Sequence, residues 1–468
     1  MTAQPWLGDT CSLVDEFRSG ARSPLEELDA TLDAVARSEL NAFSHIDADR
    51  ARDAARAADV SKPFGGVPIG VKELTPVTGW PHTEASLVFK DRVAEFTATM
   101  IDRLADAGGA VPFGLTTASE FGGINLTYTK LNGATRNPWN AAHTPGGSSG
   151  GAASAVAGGL CTIATGGDGG GSIRIPAGFT GLLGLKHTYG RIPKGPEMVL
   201  ASITAVSGCL ARSARDAARF LDVTNGFDKR DPYSLPRVDG YEAALDSLRA
   251  ELRGKRVAIA PTLGSAIVHP ELDAAVRQHG ELLAKDAGLD LIDIDVKVPE
   301  LSYEWALAGL SEIVMELGDL YPQCEADLTT EIGFGMKIAH QVYNIDSRGR
   351  IEAQRIAMNE CMAAIFDQVD FVIASTNPDV AFGAEGPMPQ DVGGVPAPLG
   401  NNGALTIPSN IYGNPAISIP IGASSERGGL PYGMQVLAPH HREPWLLDLA
   451  RIVERERPWP LVAPRVPL

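Results

Sequence analysis

Two kinds of hydrophobic spacing alternate along the chain. Between residues 8 and 60 the apolar positions recur every three or four residues, as in Leu25, Leu28, Leu32 and Val35, and this spacing predicts amphipathic helices. Ser23-Pro24-Leu25-Glu26 opens one of them with a serine cap, a proline at the first helical position and a glutamate three residues past the cap. From Phe64 the pattern changes to a short apolar run that ends at Lys72, which predicts a buried strand with a lysine at its tip. A helix over Thr97 to Ala107, stopped by Gly108 and Gly109, precedes a strand over Ala110 to Leu115. Cys161 to Thr165, Arg256 to Ala260, Leu289 to Val296, Phe371 to Ala374, Ala416 to Ile421 and Gly433 to Leu437 read as further strands. Pro270 to Ala287 reads as a helix between two of these, and a strand-helix-strand order implies parallel pairing, whereas the last two strands are joined through a glycine-rich turn. The predicted class is α/β, a single large domain with a mixed central β-sheet covered by helices on both faces.

Composition narrows the function. Of 468 residues 44% are apolar and 21% charged, which excludes a disordered chain. With 40 basic and 57 acidic residues the net charge is -17, and no Lys/Arg cluster gathers the field a polyanion needs, so no nucleic-acid partner is expected. No run approaches the roughly 18 apolar residues of a membrane span, and the first residues carry no basic and apolar leader, so a cytoplasmic protein without a membrane partner is expected. Cys11, Cys161, Cys209, Cys324 and Cys361 are far apart and form no CxxC pair, so neither a disulfide framework nor a thiolate metal site is predicted. The 51 glycines are concentrated between Gly146 and Gly190, and such a cluster within apolar sequence marks close backbone approach and hence a site.

Two glycine clusters compete for the chemistry. Gly146-Gly-Ser-Ser-Gly150 fits the G-x-S-x-G elbow of α/β-hydrolases, but that elbow follows a strand, and Thr135 to Pro145 carries two prolines and two asparagines and reads as a loop. The second cluster follows a strand, and the N–H groups of Gly169, Gly170, Gly171 and Ser172 can form a nest for an anion. It lacks both the G-K-[ST] ending and the G-x-G-x-x-G spacing of nucleotide loops, which leaves an oxyanion hole beside a serine, or a plain glycine turn. The small residues from Gly146 to Gly159 predict a closely packed helix after the glycine turn, between the clusters. His440-His441-Arg-Glu443 has no second ligand set, so a solvated or capping role is favoured over a metal site.

Lys72 in Gly-Val-Lys, Ser148 in Pro-Gly-Gly-Ser-Ser-Gly-Gly and Ser172 in Gly-Asp-Gly-Gly-Gly-Ser-Ile-Arg-Ile-Pro-Ala, 24 residues further on, together resemble the amidase signature family. The resemblance runs over residues 60 to 225 and resumes at Asn414-Pro-Ala-Ile-Ser-Ile-Pro420 and Pro431-Tyr-Gly-Met-Gln-Val. It implies that Ser172 is the nucleophile, that Ser148, held by a cis peptide bond after Gly147, bridges, and that Lys72 is the base. It also implies that Asp168 and Arg174 pair and brace the loop. A lysine can accept a serine proton at neutral pH only if its surroundings depress its pKa, so Lys72 is expected to be buried and largely neutral. In this scheme residues 1–60 are a helical flank, 61–225 the catalytic core, 226–370 a variable, mostly helical cap or pocket region, and 371–468 a return to the core sheet with a terminal helix. No metal or organic cofactor is needed.

The implied activity is hydrolysis of small to medium amides, aryl or acyl amides among the candidates, with carbamate or ester cleavage as a side activity, through an acyl-enzyme. A homo-oligomer is admitted and no obligate partner subunit is expected. Asn125 lies where the resemblance puts a wall of the substrate site. Phe121, Phe382, Met388 and Tyr412 are carried as further wall candidates, although Phe382, Met388 and Tyr412, like Trp305, read first as core. The sequence departs from the family pattern at Glu73, where Asp is usual, at Gly167 and Gly169, which replace threonines, and at His187 and Cys209, which replace prolines. Loss of a threonine at Gly169 is expected to loosen the oxyanion loop or widen the site. One rival is a glutamine-hydrolysing component of an amidotransferase, but Phe121-Gly-Gly-Ile-Asn-Leu-Thr-Tyr128 does not match the Met-Asp-Glu-Phe-Ala-Met-Gly-Ser run of that branch. The other rival is a noncatalytic binding module.

Overall fold

Eleven strands make one sheet in the computed structural model of the chain, which describes residues 4–196 and 203–464. In chain order they are β1 (Phe43–Ile46), β2 (Pro68–Lys72), β3 (Val111–Thr116), β4 (Ile163–Asp168), β5 (Leu183–Lys186), β6 (Val206–Ala211), β7 (Arg256–Ile259), β8 (Asp290–Leu291), β9 (Phe371–Ser375), β10 (Ala416–Ala423) and β11 (Pro431–Leu437). Their spatial order is β1-β3-β2-β4-β6-β5-β10-β11-β9-β7-β8. β3, β2 and β4 run parallel, the middle of the sheet from β4 to β9 is antiparallel, and β9, β7 and β8 are parallel again.

Helices of six or more residues are α1 (Thr10–Ser19), α2 (Pro24–Arg37), α3 (Ala48–Arg56), α4 (Thr99–Asp106), α5 (Gly150–Ala157), α6 (Arg174–Thr180), α7 (Ala214–Thr224), α8 (Pro270–Ala287), α9 (Ser302–Leu317), α10 (Thr330–Val342), α11 (Ile345–Gln368), α12 (Ile407–Tyr412) and α13 (Glu443–Glu456). The two-residue period of the strands divides them between the faces. On β9, Phe371 and Ile373 pack with α8 and α13, while Val372 and Ala374 pack with α11 and α12. Both faces are thus covered, which is why β2 and β9 are buried at every residue rather than alternating.

The capping box at Ser23 forms as its residues predict, with Ser23 Oγ accepting from the Glu26 N–H and the Glu26 carboxylate accepting from the Ser23 N–H. Two expectations need correction. Residues 8–60 are not all helical, because Phe43–Ile46 forms the edge strand β1, paired antiparallel to β3. The strand expected over Leu289 to Val296 shrinks to two residues at the opposite edge, where little pairing is available. The small-residue helix begins at Gly150, after a turn formed by Gly146, at φ +89°, and the residues up to Ser149. Within α5 an added Cβ at Gly151 would lie 2.4 Å from the Thr117 backbone nitrogen, so glycine is required for the helix to reach the end of β3.

One fully buried guanidinium gathers distant segments. Arg212, just past β6, donates to the carbonyls of Trp6 (2.8 Å) and Gly8 (2.7 Å) and to those of Val156 and Cys161 at 3.1 and 2.9 Å. Its own carbonyl accepts from the Trp459 indole at 3.1 Å, and Ala463 N donates to Ala157 O at 2.8 Å. Among the described residues no helix is long and apolar enough to cross a membrane.

Candidate active site

β2 and β4 are parallel neighbours, so their carboxyl ends open at the same edge of the sheet, where ligands commonly bind in α/β folds. Lys72 is the last residue of β2, and Asp168 the last of β4. The turn before α5 carries Ser148 and Ser149 into this corner, and the peptide bond between Gly147 and Ser148 is cis. No strand precedes that turn, so the elbow geometry is absent here. Glycine is required at 147, because an added Cβ would lie 2.5 Å from Ser119 Oγ and 2.7 Å from the Leu126 nitrogen.

Lys72 Nζ lies 2.8 Å from Ser148 Oγ and 3.0 Å from Ser149 Oγ, and its backbone N–H donates to Thr165 Oγ1. Its side chain is buried, and burial pushes the amine down to about 7 against the opposing pull of Asp168, Glu84 and Glu73. Ser149 carries no distinguishing mark in the sequence. Its hydroxyl also sits between the N–H and carbonyl of Gly167, both at 3.2 Å, and its N–H donates to Ser172 O at 3.3 Å. Ser149 therefore ties the lysine, the end of β4 and the Ser172 loop together. Adjacent Glu73 is buried, which raises its carboxyl to about 7 despite hydrogen bonds from the Ala118 N–H and the Asn132 amide.

Asp168 and Arg174 form a fully buried bidentate pair, with both bonds at 3.0 Å. Burial alone would raise the carboxyl, but the guanidinium and the Asn410 amide hold it well below the usual carboxylate range. Arg174 also reaches Gln435 Oε1, Asn410 Oδ1 and Thr406 O, so its donors are committed inside the protein. Thr406 and Asn410 escape sequence reading because nothing near them in the chain marks them, and Gln435, although it lies in the Pro431-Tyr-Gly-Met-Gln-Val run, is given no role there. Their one signal is that they are polar residues within apolar runs.

The loop between Asp168 and Ser172 is held from several sides. Gly171, at φ +126°, turns its N–H onto Asp168 Oδ1 at 2.8 Å, so of the four expected anion donors the groups of Gly169, Gly170 and Ser172 remain for a ligand. Asn125 Nδ2 donates to Asn402 O at 3.1 Å, bridging two site-side loops. Phe121 packs edge-on against Phe89 and joins an apolar cluster with Ile313 and Ile332, while the next residue, Gly122, faces Ser148 so closely that an added Cβ would lie 3.3 Å from Oγ. Phe382 packs edge-on against Phe179 beside α6, and Met388 is nearly buried. Tyr412 is not brought to the corner. It stacks on Phe366, 6.2 Å between ring centres, in the core under α11, because the end of α12 faces that helix. His440 packs its ring on Tyr412 and bonds its carbonyl, and no group of three or more His, Cys, Asp or Glu among the described residues is arranged to hold a metal.

A parallel-edge corner with a buried lysine, a cis-linked serine and a glycine loop carrying a second serine defines a class of α/β hydrolase-type proteins distinct from the strand-elbow enzymes. The Amidase family model matches residues 26–447, and the chain belongs to the amidase signature family. It is 32% identical to a glutamyl-tRNA(Gln) amidotransferase component from Synechococcus sp. (strain RCC307), over 97% of this chain and 98% of that protein. Its fold is similar to that of a bacterial aryl acylamidase of the same family, with a TM-score of 0.90 and 27% identity over 99% of both chains. It is also similar to 6-aminohexanoate cyclic dimer hydrolase in complex with substrate, with a TM-score of 0.86 and 27% identity, covering 98% of this chain and 99% of that one. The chain is an amidase-family enzyme that acts on carbon–nitrogen bonds.

Proposed function

We propose that the protein is a stand-alone serine amidase that cleaves neutral small to medium amides, aryl and acyl amides first among them. The observation that carries this is Lys72 Nζ at 2.8 Å from the hydroxyl of Ser148, in a site that depresses the amine to about 7. Neutral Lys72 accepts the Ser148 proton as Ser148 takes that of Ser172, and Ser172 Oγ bonds to the substrate carbonyl carbon. The carbonyl π pair moves onto oxygen, where N–H groups of Gly169, Gly170 and Ser172 receive the developing charge. As the C–N bond breaks, Ser148 delivers its proton to the leaving nitrogen and regains one from Lys72, because an amide anion is too basic to leave unprotonated. Water enters by the same relay and releases the acid. Asp168 and Arg174 brace the loop, and Asn125, with Phe121 and Met388, serves as substrate wall.

The glutaminase reading is favoured by the 32% identity to an amidotransferase component. Free glutamine requires a cation for its α-carboxylate, and Arg174, the guanidinium nearest the nucleophile loop, has no exposed surface and is fully committed to Asp168 and its neighbours. The deciding experiment labels the protein with a fluorophosphonate, maps the adduct, and then measures turnover of an anilide, a primary amide, a carbamate, an ester and glutamine. An adduct on Ser172 that is lost in Lys72→Ala, with anilide turnover by the protein alone, is expected. Glutamine turnover dependent on a partner protein favours the rival reading, and an unlabelled protein favours a noncatalytic module.

A further inference from the structure

The carbonyl oxygens of the loop after β4 are each held by a donor from outside it. Asn410 Nδ2 donates to Asp168 O at 2.8 Å, Trp305 Nε1 to Gly169 O at 2.8 Å, and Thr406 Oγ1 to Gly170 O at 2.6 Å. These peptide bonds are trans, so each carbonyl points opposite to the N–H that follows it. Fixing the Gly169 carbonyl on the indole therefore fixes the direction of the Gly170 N–H, away from the indole. The Thr406 bond does the same for Gly171, whose N–H already ends on Asp168.

Trp305 differs from the other two donors in its origin. Thr406 and Asn410 lie in or beside α12, against the core sheet, whereas Trp305 lies in the first turn of α9, within the segment read as a cap. Its ring also presses on the loop, since an added Cβ at Gly170 would lie 2.4 Å from Cζ2 and 2.8 Å from Cε2. At Gly169, by contrast, an added Cβ meets only Ala205, at 3.5 Å. The loop has no side chain of its own with which to hold that peptide, and the indole of a distant helix does so.

We infer that Trp305 is a positioning residue for amide hydrolysis, aiming the Gly170 N–H at the substrate carbonyl oxygen and so making the oxyanion site depend on the seating of α9. This rests on the proposed Ser172 chemistry. An oxyanion donor contributes in the transition state and little in the ground state, so its misalignment lowers kcat rather than raising KM. Outright removal of one such donor costs about 10²–10³-fold in kcat. Trp305→Phe keeps an aromatic ring over Gly170 but leaves the Gly169 carbonyl without its partner, and a fall in kcat of about tenfold or more is expected.

The test compares wild type with Trp305→Phe on one anilide, alongside inhibition by an arylboronic acid, whose serine adduct carries a tetrahedral, negatively charged centre. A fall in kcat with KM unchanged, matched by a parallel loss of boronate affinity, supports the role. If Trp305→Phe melts well below wild type, replacement by 3-benzothienylalanine, which keeps the bicyclic shape and lacks only the N–H, provides the same comparison. Unchanged kcat and boronate affinity in a folded variant overturn the inference while leaving the Ser172 reading intact, and so does a rise in KM alone. Absence of a fluorophosphonate adduct on wild-type Ser172 removes the reading itself, and the inference with it.

Discussion

Burial brings the Lys72 amine down to about 7. In the proposed relay the active form of the amine is neutral, so the rate on a neutral amide should rise with pH through about 7 and level off above it. Lys72→Ala should lower kcat by about 10²–10⁴-fold, the usual contribution of a general base, and leave a profile without that limb. A profile flat from pH 5 to pH 9 in the wild type would place the base elsewhere. Lys72, Ser148 and Ser172 stand out in the sequence through the family resemblance that their three motifs carry together, not through any one of them alone. Ser149, 3.0 Å from the Lys72 amine, does not, since a second serine in a glycine run carries no mark that separates a bridge from a spacer. Trp305 is legible in part: it reads as core and its ring does pack against the cluster under α11, but its indole N–H meets the loop only through the fold.

At the scale of elements, the loop between β4 and α6 is built around one ion pair. Truncating Arg174 leaves a buried carboxylate without its cation, so Arg174→Met should destabilise the protein by about 3–5 kcal/mol in a denaturant titration. Neutral and acidic substrates should lose activity alike; a loss confined to acidic substrates would assign Arg174 to substrate binding instead. The glycines of α5 make a second prediction. Alanine normally favours a helix over glycine, yet Gly151→Ala forces a Cβ to within 2.4 Å of the β3 backbone end, and a destabilisation of about 1–3 kcal/mol is expected. Strand positions are readable from apolar runs in β2, β9, β10 and β11. Edge strands are not, because Phe43–Ile46 is short, flanked by helices and paired on one side only, and β8 retains just two paired residues. There, partner geometry decides the length, and it is not written locally.

For the whole molecule, stability should depend on pH in two opposite ways. Burial raises Asp216 and Glu73 to about 7, so between their unfolded pKa values near 4 and about 7 the native state binds more protons and stability falls as pH rises. Lys72 and Lys186 are lowered to about 7, so from there to about 10.5 the unfolded chain binds more protons and stability rises with pH. Melting temperatures across pH 4 to 10 should show both slopes, and Asp216→Asn should flatten the acidic one; an unaltered acidic slope would assign it to other carboxyls. The mixed sheet with helices on both faces is legible from the order of predicted elements. The seating of α9 on the Gly169–Gly170 loop is not, since it joins segments more than 130 residues apart in the chain.

Arg212 makes the two ends of the described chain neighbours, with Trp6 and Gly8 on its guanidinium and Trp459 on its carbonyl. The order in which the chain visits the sheet is therefore separable from the place at which it is cut. A circular permutant of the described residues, with residue 464 joined to residue 4 by a short linker and the chain opened in the exposed turn Ser425–Gly428, would leave the connections among Lys72, Ser148 and Ser172 untouched.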